Sequence, residues 1–167
     1  MLACVDVDYR TQEAVAACLL FRAWPDATSA GEKVERLHPV EPYEPGQFYR
    51  RELPCLLAVL SKVTEPLDAL VIDGYVWLRD TNAPGLGAHL YEALSKAVPV
   101  IGVAKTPFLS ASAAVPVFRG NSRRPLYVSA AGMEVPTAAR NIQSMHGPFR
   151  VPTLLKKVDQ LCRHGGS

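Results

Sequence analysis

Three acids stand in apolar surroundings that do not ordinarily keep a charge: Asp6 within LACVDVDY, Glu52 within FYRRELPCLLAVL, and Asp73 closing ALVID. An ionised carboxylate buried alone is strongly disfavoured, so such groups pair with cations or bind metal. Hydrolysis of a phosphodiester needs an activated water and relief of charge on the leaving oxygen, and carboxylates around one or two Mg²⁺ ions provide both. Mg²⁺ takes few protein carboxylates and keeps water in the rest of its shell. Asp6, Glu52 and Asp73 are therefore the candidate catalytic and metal-binding set. Asp8, on the same strand face as Asp6, is a candidate further ligand or a hydrogen-bond acceptor. Lys105 ends the apolar run PVIGVAK, at the sheet edge where ligands bind, and a cation there would meet a phosphate or neutralise the carboxylates. Arg51, beside Glu52, either contacts phosphate or forms a local ion pair.

The elements that must position these residues follow from periodicity. Leu2–Tyr9, 14–23 and 33–38 read as strands with short, turn-rich connections, an antiparallel meander. Residues 39–46 hold three prolines and a glycine and predict a rigid, non-helical excursion. From Gln47 the period changes: Leu53, Leu56, Leu57 and Leu60 recur at helical spacing to about Lys62, with Pro54 predicting a kink or a later start. Strands at 69–73 and 99–103 flank a helix at 87–97, a parallel βαβ addition. Residues 114–118 and 126–129 pair as strands around the basic turn Arg119-Gly120-Asn121-Ser122-Arg123-Arg124, and 137–145 and 153–162 read as helices. Three strands, helix, strand, helix, strand is the order of a ribonuclease H-like α/β core. The expected architecture is a mixed sheet, an antiparallel three-strand meander plus parallel strands, flanked by helices. No repeat or linker divides the chain, so one domain over 1–167 is expected.

Composition narrows the classes. Of 167 residues, 49% are hydrophobic and 20% charged, an ordinary globular balance, and a net charge of +2 does not by itself identify a nucleic-acid binder. The four cysteines lack C-x-x-C or zinc spacing, and Cys4, Cys18 and Cys55 lie among apolar residues as buried thiols. His89 reads as a structural histidine, and the Ser and His residues form no nucleophile elbow or triad. Asp6 and Asp8 break the opening apolar run, so no secretory signal is expected, and no stretch approaches the ~18 apolar residues of a membrane span. A cytoplasmic monomer without membrane association is the expectation.

Four blocks then carry a resemblance. Asp6-Val7-Asp8-Tyr9, Pro42-Tyr43-Glu44-Pro45-Gly46 followed by Arg51-Glu52, Leu70-Val71-Ile72-Asp73-Gly74, and Ile101-Gly102-Val103-Ala104-Lys105 occur in the order found in the endonuclease V family. Weaker echoes follow at 125–129 and in Val151-Pro152-Thr153. The resemblance implies a ribonuclease H-like fold and a DNA-repair nuclease that nicks DNA or RNA near deaminated purines, at the second phosphodiester 3′ of an inosine. It implies Mg²⁺ or Mn²⁺ bound by Asp6, Glu52 and Asp73. Tyr43 maps onto the family's wedge, on a loop with Pro42, Pro45 and Gly46, and Arg51 and Gly74 join it as nucleic-acid-binding positions. An aromatic ring on a proline-stiffened loop can fill the gap left by a displaced base.

The chain also departs from the family pattern. D-G-x-G reads here as Asp73-Gly74-Tyr75-Val76, and Val76 is expected to crowd the approach of a base. S-P-G-H reads as Ser129-Ala130-Ala131-Gly132. The late P-T-R-x-x-[HD] places Lys157 where His or Asp belongs, and Asp159 would substitute only if the helix turned differently. Two alternatives follow: a catalytically weak or inactive nucleic-acid-binding homologue, or a nuclease for a structured RNA or branched DNA. In the latter, Tyr75-Val76-Trp77 would be the reading surface, since exposed aromatics stack on bases. A core position for Trp77 is the opposing reading.

Overall fold

Turn chemistry sets the opening meander. β1 (Leu2–Tyr9), β2 (Ala14–Phe21) and β3 (Gly31–Leu37) pair antiparallel, with Asp6 opposite Ala17 and Ala17 opposite Val34. β2 is buried along its whole length, as the unbroken apolar run AVAACLLF requires. It ends at Phe21, short of the expected Ala23, because the Asp26 carboxylate accepts the N–H groups of Arg22 and Ala23 and turns the chain. The structure, a computed structural model, describes residues 1–38, 42, 44, 45, 48–78, 83–108 and 113–165.

On the other side of β1 lies β4 (Ala69–Asp73), parallel to it, and then β5 (Val100–Ala104), parallel to β4. β6 (Val115–Val117) and β7 (Leu126–Ala131) form the expected pair around the basic turn, and β7 docks antiparallel on β5. The result is one seven-stranded sheet in the order β3-β2-β1-β4-β5-β7-β6. The β7–β5 pairing joins segments far apart in sequence, and no local pattern announces it.

Helices cover both faces. α1 (Phe48–Leu60) and α2 (Leu86–Ala93) pack on the face that receives Ala3, Val5, Leu70 and Ile72. α3 (Val135–Ser144) and α4 (Thr153–His164) pack on the face that receives Leu2, Cys4, Val71 and Ile101. α1 runs through Pro54 as one helix. Pro54 is solvent-exposed, so the Arg50 carbonyl left without its N–H partner lies on the wet side of the helix. α2 stops before the expected residue 97 because Ser95 and Lys96 adopt left-handed φ values of 57° and 58°. Among the described residues no helix is long and apolar enough to cross a membrane.

Candidate active site

Strand parity assembles the site. Leu2 and Cys4 of β1, Val71 of β4, and Ile101 and Val103 of β5 all face α4. Asp6, Asp73 and Lys105 continue those alternations and line one cleft under α4, together with Val151, Leu155 and Val158. The last paired positions of β1 and β4 are Val5 and Ile72, so Asp6 and Asp73 emerge side by side from neighbouring strands. Lys105 directs Nζ to Asp73 Oδ2 at 3.4 Å.

Glu52 approaches from α1 and is 5% exposed, with its Oε2 buried and without a hydrogen-bond partner. Burial, then the charges of Asp6 and Asp73, raises its carboxyl to about 8. Asp6 accepts the Val7 N–H at 2.9 Å, yet burial and then the Asp73 charge raise it to about 7. The three acids predicted from sequence thus feel one another's charge, but their ligand atoms do not all come within 4.8 Å of one another. The buried Tyr9 hydroxyl and Arg51 Nε are also unpartnered, and the Arg51 guanidinium lies 3.8 Å above the Tyr9 ring. Arg51 is therefore held by an aromatic ring on the strand of Asp6. Asp8 takes a hydrogen bond from Arg10 at 3.4 Å.

The chemistry of these donors, carboxylate oxygens, suits a hard divalent cation. Mg²⁺ and Mn²⁺ take carboxylate oxygens, and a cation among these carboxyls would reverse both upward shifts and occupy the orphaned Glu52 oxygen.

A further acid reaches the cluster, against expectation. Among the described residues, the group of three donors whose ligand atoms all lie within 4.8 Å of one another is Asp6, Asp159 and Cys162. Burial and then Asp6 push the Cys162 thiol up to about 12, so it stays protonated and the oxygen donors are Asp6 and Asp159. Asp159 arrives because α4 seats Leu154, Val158 and Cys162 against the sheet, which turns the next residue after Val158 toward Asp6. Lys157 points the other way, to Glu32 at 2.8 Å and Ser29 at 2.9 Å.

Beside Asp73 opens a second cleft of about 320 Å³, lined by Tyr49, Gly74, Tyr75, Leu78 and Phe108 among others. The Tyr75 and Phe108 rings are 6.0 Å apart at 49°, and the Tyr75 hydroxyl donates to the Thr106 carbonyl at 2.7 Å. Tyr49 stacks on His89 at 3.7 Å, which bears out the structural reading of that histidine. Gly74 has φ 130°, a conformation that L side chains rarely adopt, and turns the chain after Asp73.

Val76 does not crowd this cleft. It is fully buried and points toward α2, where a Cβ on Gly87 would stand 2.6 Å from its Cγ2, and its N–H donates to Ser129 Oγ at 3.0 Å. The missing side chain at 87 makes room for the added one at 76. Trp77 donates to the Ala130 carbonyl at 3.1 Å and packs on the core, so Tyr75 alone of that triplet lines the cleft. Pro42 and Pro45 are exposed, while Tyr43 and Gly46 lie outside the described residues.

Comparison with known proteins agrees with the four motifs. The endonuclease V of Streptomyces avermitilis is 28% identical over 182 residues, covering 95% of this chain and 77% of that protein. A crystal structure of endonuclease V from the same organism superposes with a TM-score of 0.78 at 27% identity, over 98% of this chain and 80% of that one. The fold is shared at lower identity with human ENDOV (TM-score 0.78, 23%, covering 98% and 83%). It is also shared with Ciona intestinalis endonuclease V in complex with a 24mer DNA containing an inosine followed by a ribo-adenosine (0.78, 18%, 98% and 84%). The sequence profile described as Endonuclease V matches residues 1–146. On that match, with the ribonuclease H-like fold around it, the chain belongs to the endonuclease V family.

Proposed function

We propose that this chain is a Mg²⁺-dependent endonuclease, with Mn²⁺ as an alternative ion, that hydrolyses a phosphodiester near a deaminated purine, inosine above all, in DNA or RNA. The observation that carries this reading is the position of Asp73. It lines both the carboxylate cleft and the aromatic cleft, so a base seated among Tyr49, Tyr75 and Phe108 has its own backbone beside the acids. A volume of about 320 Å³ lies at the low end of ligand pockets and suits a single extruded base.

Held by Asp6, Glu52, Asp73 and Asp159, a divalent cation would supply an acidified water and charge relief on the leaving oxygen. The protein's own groups do the rest. Glu52, whose Oε2 has no hydrogen-bond partner, would complete this carboxylate set or orient a water. Lys105, half-exposed beside Asp73, offers its ammonium to phosphate oxygens as negative charge develops. Tyr75, fixed through Thr106, presents a rigid ring for stacking. Tyr43 would hold the strand open from the loop bearing the exposed Pro42 and Pro45. The reading as an inactive binder rested on the absence of a late acid and on a crowded lesion loop. Asp159 beside Asp6 and Val76 turned into the core weigh for catalysis instead.

The test is a nicking assay on matched inosine and adenosine strands, with and without Mg²⁺, for the wild type and Asp73→Asn. The expected result is Mg²⁺-dependent nicking of the inosine strand, lost in a folded Asp73→Asn protein. Equal cleavage of both strands would discard lesion specificity. Undiminished nicking by Asp73→Asn would remove the active-site assignment, and tight binding without cleavage in either metal would leave only a binder.

A further inference from the structure

Phe149 is 71% exposed, the most exposed large apolar side chain among the described residues, yet the segment that carries it is tied down. Arg119 is only 3% exposed and donates to the carbonyls of Met145, Gly147, Phe149 and Arg150. No carboxylate hydrogen-bonds to it among the described residues, so its charge is compensated by these peptide dipoles. Arg150 in turn donates to the carbonyls of Lys105 and Pro125, and Thr153 N–H closes on the His146 carbonyl at 2.8 Å. An aromatic ring held out in water by a buried clamp has already lost the freedom that binding would otherwise take from it.

Phe149 borders a groove of about 320 Å³ shared with Lys105, Arg150, Lys156 and Asp159. The three clefts form a row. The aromatic cleft shares Asp73 with the carboxylate cleft, which shares Lys105, Val151 and Leu155 with the groove. Aromatic cleft and groove share no residue, so the carboxylate cleft with Asp6 lies between them. Three cations against one carboxylate give the groove the charge sign that a phosphate backbone requires.

We propose that residues 145–151 form a preorganised platform for the strand beyond the cut: a base stacks on Phe149, and Lys156, with Lys105, contacts the phosphates. The proposal rests on the nuclease reading above. With the lesion base in the aromatic cleft and the cut 3′ of it, as the family resemblance implies, the row of clefts gives the groove to nucleotides on the 3′ side. Stacking on an exposed ring beside cations is sequence-tolerant, which suits flanking rather than lesion nucleotides.

The experiment measures binding of the whole protein, in EDTA so that no strand is cut, to fluorescent inosine strands whose 3′ or 5′ extensions are short or long. Wild-type affinity is expected to rise with the 3′ extension. Phe149→Ala should lose about 5- to 10-fold on strands with a long 3′ extension and nothing on strands ending near the cut, while Phe149→Tyr retains binding. Lys156→Ala should lower the slope of log affinity against log salt by about 0.7 on the long strands. Unchanged binding by Phe149→Ala on every strand, or a loss that follows the 5′ extension, would overturn the platform. Failure of the nuclease reading has a different signature, equal handling of inosine and adenosine strands or no nicking by the wild type. The length dependence can be read on unmodified strands as well.

Discussion

If Glu52 is held among like charges, replacing it by glutamine should make the metal-free protein more stable at neutral pH. Its carboxyl rises from 4.5 to about 8, first through burial and then through Asp6 and Asp73. An acid whose folded pKa lies above its unfolded value grips its proton more tightly in the fold. Its contribution is fully present below the unfolded value and is lost as pH climbs through the folded one. Between pH 5 and pH 8 that loss amounts to about 4 kcal/mol for Glu52, at about 1.4 kcal/mol per pH unit, as an upper value. Asp6, raised from 3.8 to about 7, works in the same direction over the lower part of that interval. For a chain of this size, about 4 kcal/mol corresponds to a fall of roughly 8–16 °C in Tm.

Thermal unfolding in EDTA from pH 5 to pH 8, wild type beside Glu52→Gln, measures this directly. The difference between the proteins matters, because acids elsewhere, such as Glu13 with its carboxyl lowered beside Arg36, cancel in it. Glu52→Gln should match the wild type near pH 5 and exceed it by several degrees at pH 8. Added Mg²⁺ should reverse the order, stabilising the wild type and giving the variant much less. Superimposable pH profiles for the two proteins would refute the reasoning, since a carboxylate that titrates normally is not packed against two others.

Asp159→Asn should weaken Mg²⁺ binding by about 10-fold or more, read as a smaller Mg²⁺-induced rise in Tm, with little change in the metal-free protein; equal Mg²⁺ responses would exclude Asp159 from the site. Gly87→Ala should destabilise by about 1–3 kcal/mol in urea unfolding, because its Cβ meets Val76 Cγ2 at 2.6 Å, and the penalty should shrink in a Val76→Ala background; strict additivity would deny the contact. Arg119→Met leaves the buried Met145 carbonyl and three partly buried ones without this donor and should lower stability by about 3 kcal/mol or more, with faster amide exchange confined at first to 145–151; uniform exchange along the chain would place the clamp elsewhere.

How much of this was legible in the sequence depends on the range of each interaction. Asp6, Asp73 and Lys105 could be placed together because each extends an apolar alternation, and period two fixes the face on which a strand residue emerges. Glu52 followed from the helical spacing of Leu53, Leu56 and Leu60, and Pro54 was harmless because it fell on the exposed side of that same helix. Val76 was misjudged because the motif comparison took its side chain to face a base, whereas the chain turns at Gly74, with φ at 130°, and Val76 is buried against Gly87. Arg119 read as part of a basic turn, and only the fold of 145–150 around it reveals a buried cation among carbonyls.

At Asp159 an acid comes close to Asp6 although the linear motif has a lysine at 157. A pattern scored by position records the loss of an acid at 157, but a helix offers two or three neighbouring directions within one turn. Which of them meets the sheet is decided by the stripe that packs. Here Leu154, Val158 and Cys162 lie against a face bearing Cys4, whose thiol reaches the Leu154 carbonyl at 3.7 Å, and that seating delivers residue 159 to Asp6. Lys157, displaced from the site, binds Glu32 and so ties α4 to the β2–β3 hairpin. The same reciprocity joins Val76 to Gly87, where a gain on one element meets a vacancy on another. Asp159 comes from the same helix as Lys157 and Gly87 from a different element than Val76, and in both places packing rather than position in a linear pattern decides where the side chain goes.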